Sequence, residues 1–211
     1  MKYIQKGGEP PELTDWKAKS NVNWKPTFEN LSGSVKAAVK HALMKEQGFI
    51  CCYCECRLEN EDSHIEHFKP QRLAKFDSLD YWNMLCSCQS DLKRGAPRHC
   101  GHLKGDWFDE DLLISPLQSG CEARFAYLFN GEILAVHKDD KGADETIKQL
   151  GLGIPKLIAL RQRAIEPFLD QQLSDDQFER FVNGYLRRDE QGMYPAFFTT
   201  ISYLFSRGAT P

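Results

Sequence analysis

The chain has 211 residues and a formal net charge of −3, with 41% hydrophobic and 27% charged residues. This length allows one domain with a sizeable core or two small domains, and the composition is typical of a soluble globular protein. No apolar run approaches the roughly 20 residues that a membrane-spanning helix needs, and the start of the chain, with Gly7, Gly8, Pro10 and Pro11, lacks the apolar segment of a signal peptide. We therefore expect a cytoplasmic protein without a membrane partner, whose thiols stay reduced.

The first part of the chain is irregular. Residues 1–33 are interrupted by glycine and proline and contain Trp16 and Trp24 as isolated large apolar groups. This composition predicts an extended arm, which could pack on its own domain or on another subunit. From Ser34 onward, apolar residues recur at the spacing of one helical face, at Val35, Ala38, Val39, Ala42 and Leu43. The pattern predicts an amphipathic helix that ends near Gly48.

Residues 51–104 contain seven of the eight cysteines and four of the six histidines. Cys51 and Cys54 form a C-x2-C pair, a spacing that lets two thiolates converge on one ion while two further ligands come from elsewhere. Cys88 and Cys100 are the favoured second pair, with Cys86 as the alternative to Cys88. A closed site of four thiolates is typical of structural zinc and leaves no coordination position open for chemistry.

The last third of the chain reads as one hairpin followed by helices. Asn130-Gly131 between two apolar runs predicts a hairpin with a two-residue turn. After a polar loop at 139–142, the sequence predicts a helical segment over 154–173 with Pro155 in its first turn. Ser174 and Gln177 form a capping-box pattern ahead of the next helix, and a final helix is expected over 197–205.

The order of motifs around the cysteines resembles the HNH endonucleases. The first cysteine pair is followed by His64-Ile65-Glu66-His67-Phe68-Lys69-Pro70, then by Asn83, and the region closes with Cys100-Gly101-His102-Leu103-Lys104. These stretches, together with residues 1–8, are similar to the PtuB-like HNH proteins of Septu and retron-associated antiphage systems. The catalytic unit of that family is a two-stranded ribbon and one helix around a metal. The resemblance therefore implies a ββα-metal unit here.

The resemblance also implies a role for each matching residue. His67 corresponds to the general base that takes a proton from the attacking water, and Glu66 to the acidic ligand of the catalytic cation, Mg2+ or Mn2+. Asn83 corresponds to the central asparagine that orients the base, and His102 to the last cation ligand, on the helix. On a strand, His64 would share a face with Glu66 and could help it to hold the cation.

Two departures from the family pattern leave one assignment open. Gly101 stands directly after Cys100, where many relatives have Asn or His, and eleven residues separate Cys88 from Cys100, where a C-x2-C is usual. His99 is therefore an alternative to His102 as the last cation ligand.

A local excess of positive charge surrounds these motifs although the whole chain is acidic. Between Phe68 and Gly105 there are seven basic residues and three aspartates, and the residues predicted to contact nucleic acid are Lys69, Arg72, Lys93, Arg94, Arg98 and Lys104. Acidic runs at 59–62 and 106–111 flank this block. If they fold over it, they would be autoinhibitory, and reversing the charges of Asp109, Glu110 and Asp111 would raise basal cleavage.

These residues and the resemblance together predict a metal-dependent endonuclease that hydrolyses phosphodiester bonds in nucleic acid, with DNA favoured. The resemblance further implies an antiphage effector in a hetero-oligomer with a PtuA-like ATPase, since the sequence contains no glycine-rich phosphate loop of its own. One alternative is a non-catalytic zinc module that binds nucleic acid or bridges proteins. A second alternative is an HNH-type ribonuclease that acts on RNA or tRNA.

The predicted fold class is α+β and mostly helical. An extended arm at 1–33 precedes the zinc-stapled HNH unit with its leading helix at 34–110. The hairpin and the helical region at 111–211 are expected to pack on that unit.

Overall fold

The computed structural model describes residues 1–73, 78–92, 94–169 and 172–206. Within these residues the fold is α+β, with seven α-helices and two separate antiparallel sheets of two strands each. The helices are α1 (Pro11–Lys17), α2 (Gly33–Glu46), α3 (Gly101–Lys104), α4 (Lys141–Gln149), α5 (Pro155–Ile165), α6 (Asp175–Tyr185) and α7 (Phe198–Phe205). The strands are β1 (Ser63–His67), β2 (Met84–Cys88), β3 (Phe125–Tyr127) and β4 (Ile133–Ala135).

The N-terminal segment is not extended throughout, because Pro11–Lys17 form helix α1. Proline in the first turn and Glu12 beside it both favour a helix start, so the prediction of a fully extended arm was wrong for this stretch. The segment packs on its own domain, since Met1, Ile4 and Leu13 are buried in the main hydrophobic core.

Helix α2 lies close to its predicted limits and supports the first sheet. Val39 and Leu43 on its apolar face are fully buried, and the helix contacts both β1 and β2. The two strands pair antiparallel, with Ser63 opposite Cys88 and His67 opposite Met84. The one-turn helix α3 then follows β2 in the chain. Strands β1 and β2 and helix α3 contain most of the candidate catalytic residues predicted from the sequence.

The hairpin formed by β3 and β4 is confirmed, but its turn differs from the prediction. Gly131 has a positive φ of 81°, whereas Asn130 does not, so the two residues do not form the predicted two-residue turn, which needs positive φ at both positions. A Cβ atom at Gly131 would lie 2.4 Å from the carbonyl oxygen of Ile158 in α5. Glycine is therefore required both by the backbone and by the helix beside it.

The C-terminal helices follow the local capping signals. Asp140 accepts a hydrogen bond from the Ala143 N–H at 2.9 Å, and this cap starts α4 inside the predicted polar loop. The capping box of Ser174 and Gln177 at the start of α6 is confirmed. Helix α5 ends at Ile165 and continues as a 3-10 turn, while residues 170–171 of its predicted range lie outside the described residues.

One main core unites most of these elements. It includes buried residues from the N-terminal segment, α2, the cysteine region, both sheets and α5, and a smaller cluster is formed by Ile165, Phe168, Val182 and Ile201. Among the described residues, no helix has the length and apolar character needed to cross a membrane.

Candidate metal centre and active site

Four cysteines from three parts of the chain converge on one point. The sulfur atoms of Cys51, Cys54, Cys88 and Cys100 all lie within 4.8 Å of one another, and all four residues are buried. The Cys54 and Cys88 sulfurs are 3.7 Å apart, close to the roughly 3.8 Å between two thiolates on tetrahedral zinc with bonds of about 2.3 Å. This set could hold a metal ion, and its all-sulfur composition suits structural zinc.

Cys88 rather than Cys86 joins this sulfur cluster. Cys86 is fully buried two positions earlier on β2, and burial raises the pKa of its thiol to about 12. Burial also opposes the ionisation of Cys51 and Cys54, but hydrogen bonds from neighbouring thiols outweigh it and lower the pKa of both. The thiolate is the form that binds metal, and Cys51 and Cys54 are the two members of the cluster that favour it. Burial and hydrogen bonds with Cys51 and Cys54 raise the pKa of Cys100. A hydrogen bond with Cys100 lowers the pKa of Cys88, but hydrogen bonds with Cys51 and Cys54, together with burial, outweigh it and raise that pKa.

Glu66 is the centre of a second cluster, on one face of β1. Its carboxylate oxygen Oε1 lies 2.9 Å from the Lys104 ammonium and accepts a hydrogen bond from the Tyr53 hydroxyl at 3.2 Å. The other oxygen, Oε2, lies 3.6 Å from His64 Nε2. Burial alone would raise the pKa of Glu66, but His64 and Lys104 stabilise the charged form and hold the pKa below its ordinary value. Glu66 is thus a buried carboxylate that stays ionised.

The two histidines near the start of α3 face different clusters. The His102 ring packs edge to face against His64, with centroids 5.3 Å apart, and so lies on the Glu66 side. His99 turns to the sulfur cluster, where its Nδ1 lies 3.2 Å from Cys100 Sγ. Of the two alternatives for the last cation ligand, His102 is the one that lies beside the Glu66 cluster.

Gly101 allows α3 to approach β1 closely. A Cβ atom at this position would lie 2.5 Å from Glu66 Oε2 and 2.9 Å from His64 Nε2, distances that no side chain could tolerate without movement. A larger residue at the position that departs from the family pattern would therefore displace the ends of the Glu66 and His64 side chains. In the described part of the chain, the four cysteines are the only set of three or more potential ligands within 4.8 Å of one another. His64, Glu66 and His102 are accordingly less tightly assembled.

His67 points away from Glu66, to the other face of β1. Its buried ring packs edge to face on Phe28, and its Nε2 lies 3.0 Å from the Ser78 carbonyl oxygen. A carbonyl can only accept, so Nε2 carries the proton and Nδ1, 3.3 Å from the Gln71 amide nitrogen, has a lone pair. Burial lowers the pKa of His67, which keeps the ring neutral near pH 7. The ring can therefore take up a proton at Nδ1.

Asn83 fixes the chain as it leaves β1. Its side-chain oxygen accepts from the Lys69 N–H at 2.8 Å, and its amide nitrogen donates to the Lys69 carbonyl at 2.9 Å. The Asn83 carbonyl also accepts from the Phe68 N–H at 2.9 Å. This clamp holds the two residues that follow His67, so Asn83 can orient the histidine through the backbone.

Known proteins with similar sequences come from two kinds of bacterial system. A retron Vc95 protein of Vibrio cholerae serotype O1 biovar El Tor is 30% identical over 139 residues, which cover 63% of this chain and 65% of that protein. A retron Ec83 protein of Escherichia coli is 33% identical over 127 residues, or 54% and 49% of the two chains. Both retron proteins are named as provisional HNH endonucleases. The Septu protein PtuB of Bacillus thuringiensis is 29% identical over 91 residues, or 42% and 35%.

These similarities support an HNH endonuclease family in antiphage defence for the chain. No family profile matches the sequence. The chain matches 65% or less of the length of these curated relatives. The relatives therefore support the family, whereas the activity, substrate and partner of this protein are inferred from its own residues.

The basic residues predicted to contact nucleic acid lie in different environments in this protein. Arg94 and Arg98 are exposed, while Lys93 lies outside the described residues. Lys104 is 3% exposed, pairs with Glu66 and donates to the His67 carbonyl at 3.0 Å. Its burial argues for a role in holding Glu66 rather than in contacting a phosphate.

Lys69 and Arg72 are exposed, but acidic residues of the segment after α3 already contact them. Lys69 Nζ lies 3.8 Å from a Glu110 carboxylate oxygen, and Arg72 Nε lies 3.3 Å from an Asp106 carboxylate oxygen. Phe108, between these two acids, packs edge to face on Phe68 with ring centroids 5.7 Å apart. The acidic run at 106–111 therefore contacts Lys69 and Arg72 of the neighbouring basic block.

Three further contacts of the candidate site were not predicted. The Tyr53 hydroxyl donates a hydrogen bond to Glu66. Because Tyr53 lies between the two cysteines of the C-x2-C pair in the sequence, its position predicts that it is near the sulfur cluster but not that it contacts the Glu66 carboxylate. Gln71 and Ser78 hold the two ring nitrogens of His67 from the loop after β1. Ser78 contacts His67 through its backbone carbonyl, which any residue could supply. The sequence therefore could not have predicted this contact.

Proposed function

We propose that this protein is a metal-dependent endonuclease that hydrolyses phosphodiester bonds in nucleic acid, with DNA preferred. The observation that carries the proposal is the pair of neighbours Glu66 and His67 at the end of β1. One is a buried, ionised carboxylate and the other is a neutral imidazole with a lone pair on Nδ1. Phosphodiester hydrolysis needs both functions, a ligand for a cation and a base for the attacking water.

His67 would take the proton of the attacking water at Nδ1. The Ser78 carbonyl keeps the other proton on Nε2 and stabilises the imidazolium that forms, because it accepts a hydrogen bond from the charged ring. The Gln71 amide, 3.3 Å from Nδ1, has to move aside to admit the water. General-base catalysis of this kind typically contributes about 10²–10⁴-fold in rate.

Glu66 and His102 would hold the catalytic cation, with His64 as a further ligand. Lys104 and Tyr53 engage Oε1 of Glu66, which leaves Oε2, on the His64 side, for the metal. A carboxylate oxygen suits Mg2+ or Mn2+. Such a cation, when bound, polarises the phosphoryl group and stabilises the leaving oxygen. The two imidazoles have to draw closer to Glu66 for this set to close on an ion.

The four-cysteine cluster would hold zinc as a structural staple. Zinc there would tie the turn of Cys51 and Cys54 to the end of β2 and to the start of α3, which carries His102. The closed tetrahedral set leaves no position for water or substrate. Zinc would therefore act by positioning α3 against β1 and not in the reaction itself.

We further propose that the protein works in antiphage defence beside a PtuA-like ATPase subunit, in a hetero-oligomer. Similarity to PtuB supports this partner, as does the lack of a glycine-rich phosphate loop in the sequence. Arg94 and Arg98 would contribute to phosphate contacts, together with Lys69 and Arg72 once these are released from their acidic neighbours.

The first test compares cleavage by the wild-type protein, His67→Ala and His137→Ala. His137 is an exposed histidine away from the site and serves as the matched control. Duplex DNA, single-stranded DNA and total RNA are offered with Mg2+ or Mn2+, with and without the ATPase. We expect cleavage by the wild type and the control and a loss of about 10²-fold or more in His67→Ala, with zinc content unchanged in all three. Equal cleavage by His67→Ala would contradict the role of His67 as the base.

A non-catalytic zinc module is the alternative function that one observation favours. The sulfur cluster is tightly assembled, whereas His64, Glu66 and His102 do not lie within the same 4.8 Å in the described chain. If stoichiometric zinc is bound and no polymer is cleaved under any condition, this alternative replaces the nuclease. Cleavage confined to RNA would instead identify a ribonuclease.

A further inference from the structure

A cavity of about 610 Å³ opens between the N-terminal segment, the end of α2 and residues 188–194. Its volume lies within the roughly 300–1,000 Å³ of small-molecule sites. Neither Glu66 nor His67 lines it, and the proposed nuclease function gives it no role.

The lining of this cavity is strongly basic. Four cations and one carboxylate line it, namely Lys2, Lys6, Lys45, Arg188 and Glu46. Glu46 Oε2 pairs with the buried Lys6 ammonium at 3.0 Å, and Lys2 pairs at 3.3 Å with Glu122, which is not part of the lining. After these pairs are formed, the charges of Lys45 and Arg188 remain uncompensated within the cavity. Such a concave basic surface attracts anions.

Lys45 and Arg188 have hydrogen-bond donors to offer a ligand. Lys45 is exposed in the last turn of α2 and forms no ion pair within the described residues. Arg188 donates one N–H to the Glu46 carbonyl at 3.2 Å and stacks 4.4 Å from the centroid of the Tyr194 ring. A guanidinium has five N–H donors, so this stacked arginine is held in place while further donors can reach an anion. Arginine and lysine are the residues that bind phosphate in proteins.

The cavity also has aromatic surface beside these charges. Tyr194 is flanked by Arg188 and by the Lys2 ammonium, which lies 4.9 Å from its ring centroid. Tyr3 lines the same cavity and is 37% exposed. An exposed aromatic face is a stacking platform for a planar base. The volume of about 610 Å³ far exceeds that of a single phosphate ion, so a larger ligand fits.

We propose that this cavity binds a phosphate-bearing small molecule of nucleotide size, with its phosphates at Lys45 and Arg188 and its planar part against Tyr3. The cavity also has a direct link to the first sheet. Gln47 lines it and exchanges two hydrogen bonds with the backbone of Cys86 on β2, at 2.9 and 2.7 Å. A ligand in the cavity would contact a residue that supports the strand leading to Cys88.

A simpler reading is that Lys45 and Arg188 only offset the negative end of the α2 dipole. That role needs positive charge near the end of the helix but no ligand. It predicts lower stability when both charges are removed and no change in the response to phosphate compounds. Ligand-induced shifts therefore separate the two readings.

The test measures binding of ATP, AMP and pyrophosphate by calorimetry and by the shift in melting temperature, without added divalent cations. We expect ATP to bind the wild type and raise its melting temperature, and Lys45→Ala/Arg188→Ala to bind ATP at least tenfold more weakly. The control Lys36→Ala/Arg187→Ala removes the same charge from α2 and from the residue next to Arg188, outside the lining, and should bind ATP as the wild type does.

Four outcomes would overturn the proposal. Either the wild type binds none of the three compounds, or Lys45→Ala/Arg188→Ala binds ATP as tightly as the wild type, or the control variant loses as much affinity as the cavity variant. Pyrophosphate binding with no gain for ATP would also count against it, because the occupant would then not be of nucleotide size. None of these measurements depends on nuclease activity, so the proposal can fail or hold independently of it.

Discussion

The packing of α3 against β1 depends on one missing side-chain atom. Gly101 faces Glu66 Oε2 and His64 Nε2 at distances that leave no room for a methyl group. The helix start can therefore lie directly on the carboxylate, and Lys104, three residues further along, can reach Oε1 at 2.9 Å. The buried charge of Glu66 is neutralised because this approach is possible.

Gly101→Ala should lower both stability and cleavage. The new methyl group would meet Glu66 and His64 at 2.5 and 2.9 Å, so either the carboxylate or the helix has to move. Overpacking of this kind costs about 1–3 kcal/mol, which urea denaturation measures as a fall in the free energy of unfolding. Cleavage should fall as well because the displaced carboxylate is the proposed cation ligand. Unchanged stability and unchanged cleavage would show that α3 and β1 do not pack this closely in solution.

Gly184→Ala is the matched control for that substitution. Gly184 lies within α6, and a Cβ atom there would meet nothing within 4 Å. Alanine should therefore raise the free energy of unfolding by about 0.5–1 kcal/mol, with no effect on cleavage.

Single residues also mark the limit of the sequence prediction. The alternation of side chains along a strand predicted that His64 shares a face with Glu66, and their side chains do lie 3.6 Å apart. The same reasoning could not predict the direction of Lys104. From the sequence alone, a lysine among other basic residues is expected to be exposed to solvent. In the fold, the packing of α3 buries Lys104 against Glu66.

Among the secondary-structure elements, local signals gave the better predictions. The capping box of Ser174 and Gln177 fixed the start of α6, because both hydrogen bonds form within one turn. The hairpin was predicted from Asn130-Gly131, but the contact of Gly131 with α5 is long-range, and the turn type was wrong. Helix α1 was missed because its glycine- and proline-rich surroundings hid a short helix that starts at Pro11.

The C-x2-C turn, β2 and α3 all meet at the sulfur cluster, so zinc should depend on Cys88 and not on Cys86. Cys88→Ala removes one of four ligands and should lower zinc content well below the single ion per chain of a closed four-thiolate site. Cys86→Ala removes a thiol of the same strand that lies outside the set within 4.8 Å and should retain the metal. Metal analysis of the purified variants measures both. Loss of zinc in Cys86→Ala but not in Cys88→Ala would reverse the assignment.

At the scale of the whole molecule, long-range contacts join parts that the sequence presents as separate. The Tyr194 N–H donates to the Gly48 carbonyl at 2.9 Å, and the Phe197 N–H donates to the Glu55 carbonyl at 3.1 Å. These backbone bonds attach the start of α7 to the cysteine region. No local pattern carries such information, which is why the sequence left open where the N-terminal arm and the C-terminal helices dock.

The acidic segment at 106–111 lies against the basic block in the folded molecule. Asp106 and Glu110 contact Arg72 and Lys69. Asp109 has a different role, since its side chain accepts from the backbone N–H groups of Asp111 and Leu112 at 3.0 and 3.1 Å. The autoinhibition hypothesis therefore applies to Asp106 and Glu110, while Asp109 shapes the turn itself.

Asp106→Asn/Glu110→Gln should strengthen nucleic-acid binding. Exposed ion pairs contribute only about 0–1 kcal/mol each, so freeing Lys69 and Arg72 should raise affinity by about three- to tenfold. It should also steepen the salt dependence, because more cations then meet phosphates. Fluorescence anisotropy in a His67→Ala background measures affinity at several salt concentrations without cleavage. Asp139→Asn/Glu132→Gln removes equal charge from exposed positions outside this segment and should change affinity less. Equal gains in both variants would mean that net charge, not this segment, limits binding, and no gain in either would remove the autoinhibition hypothesis.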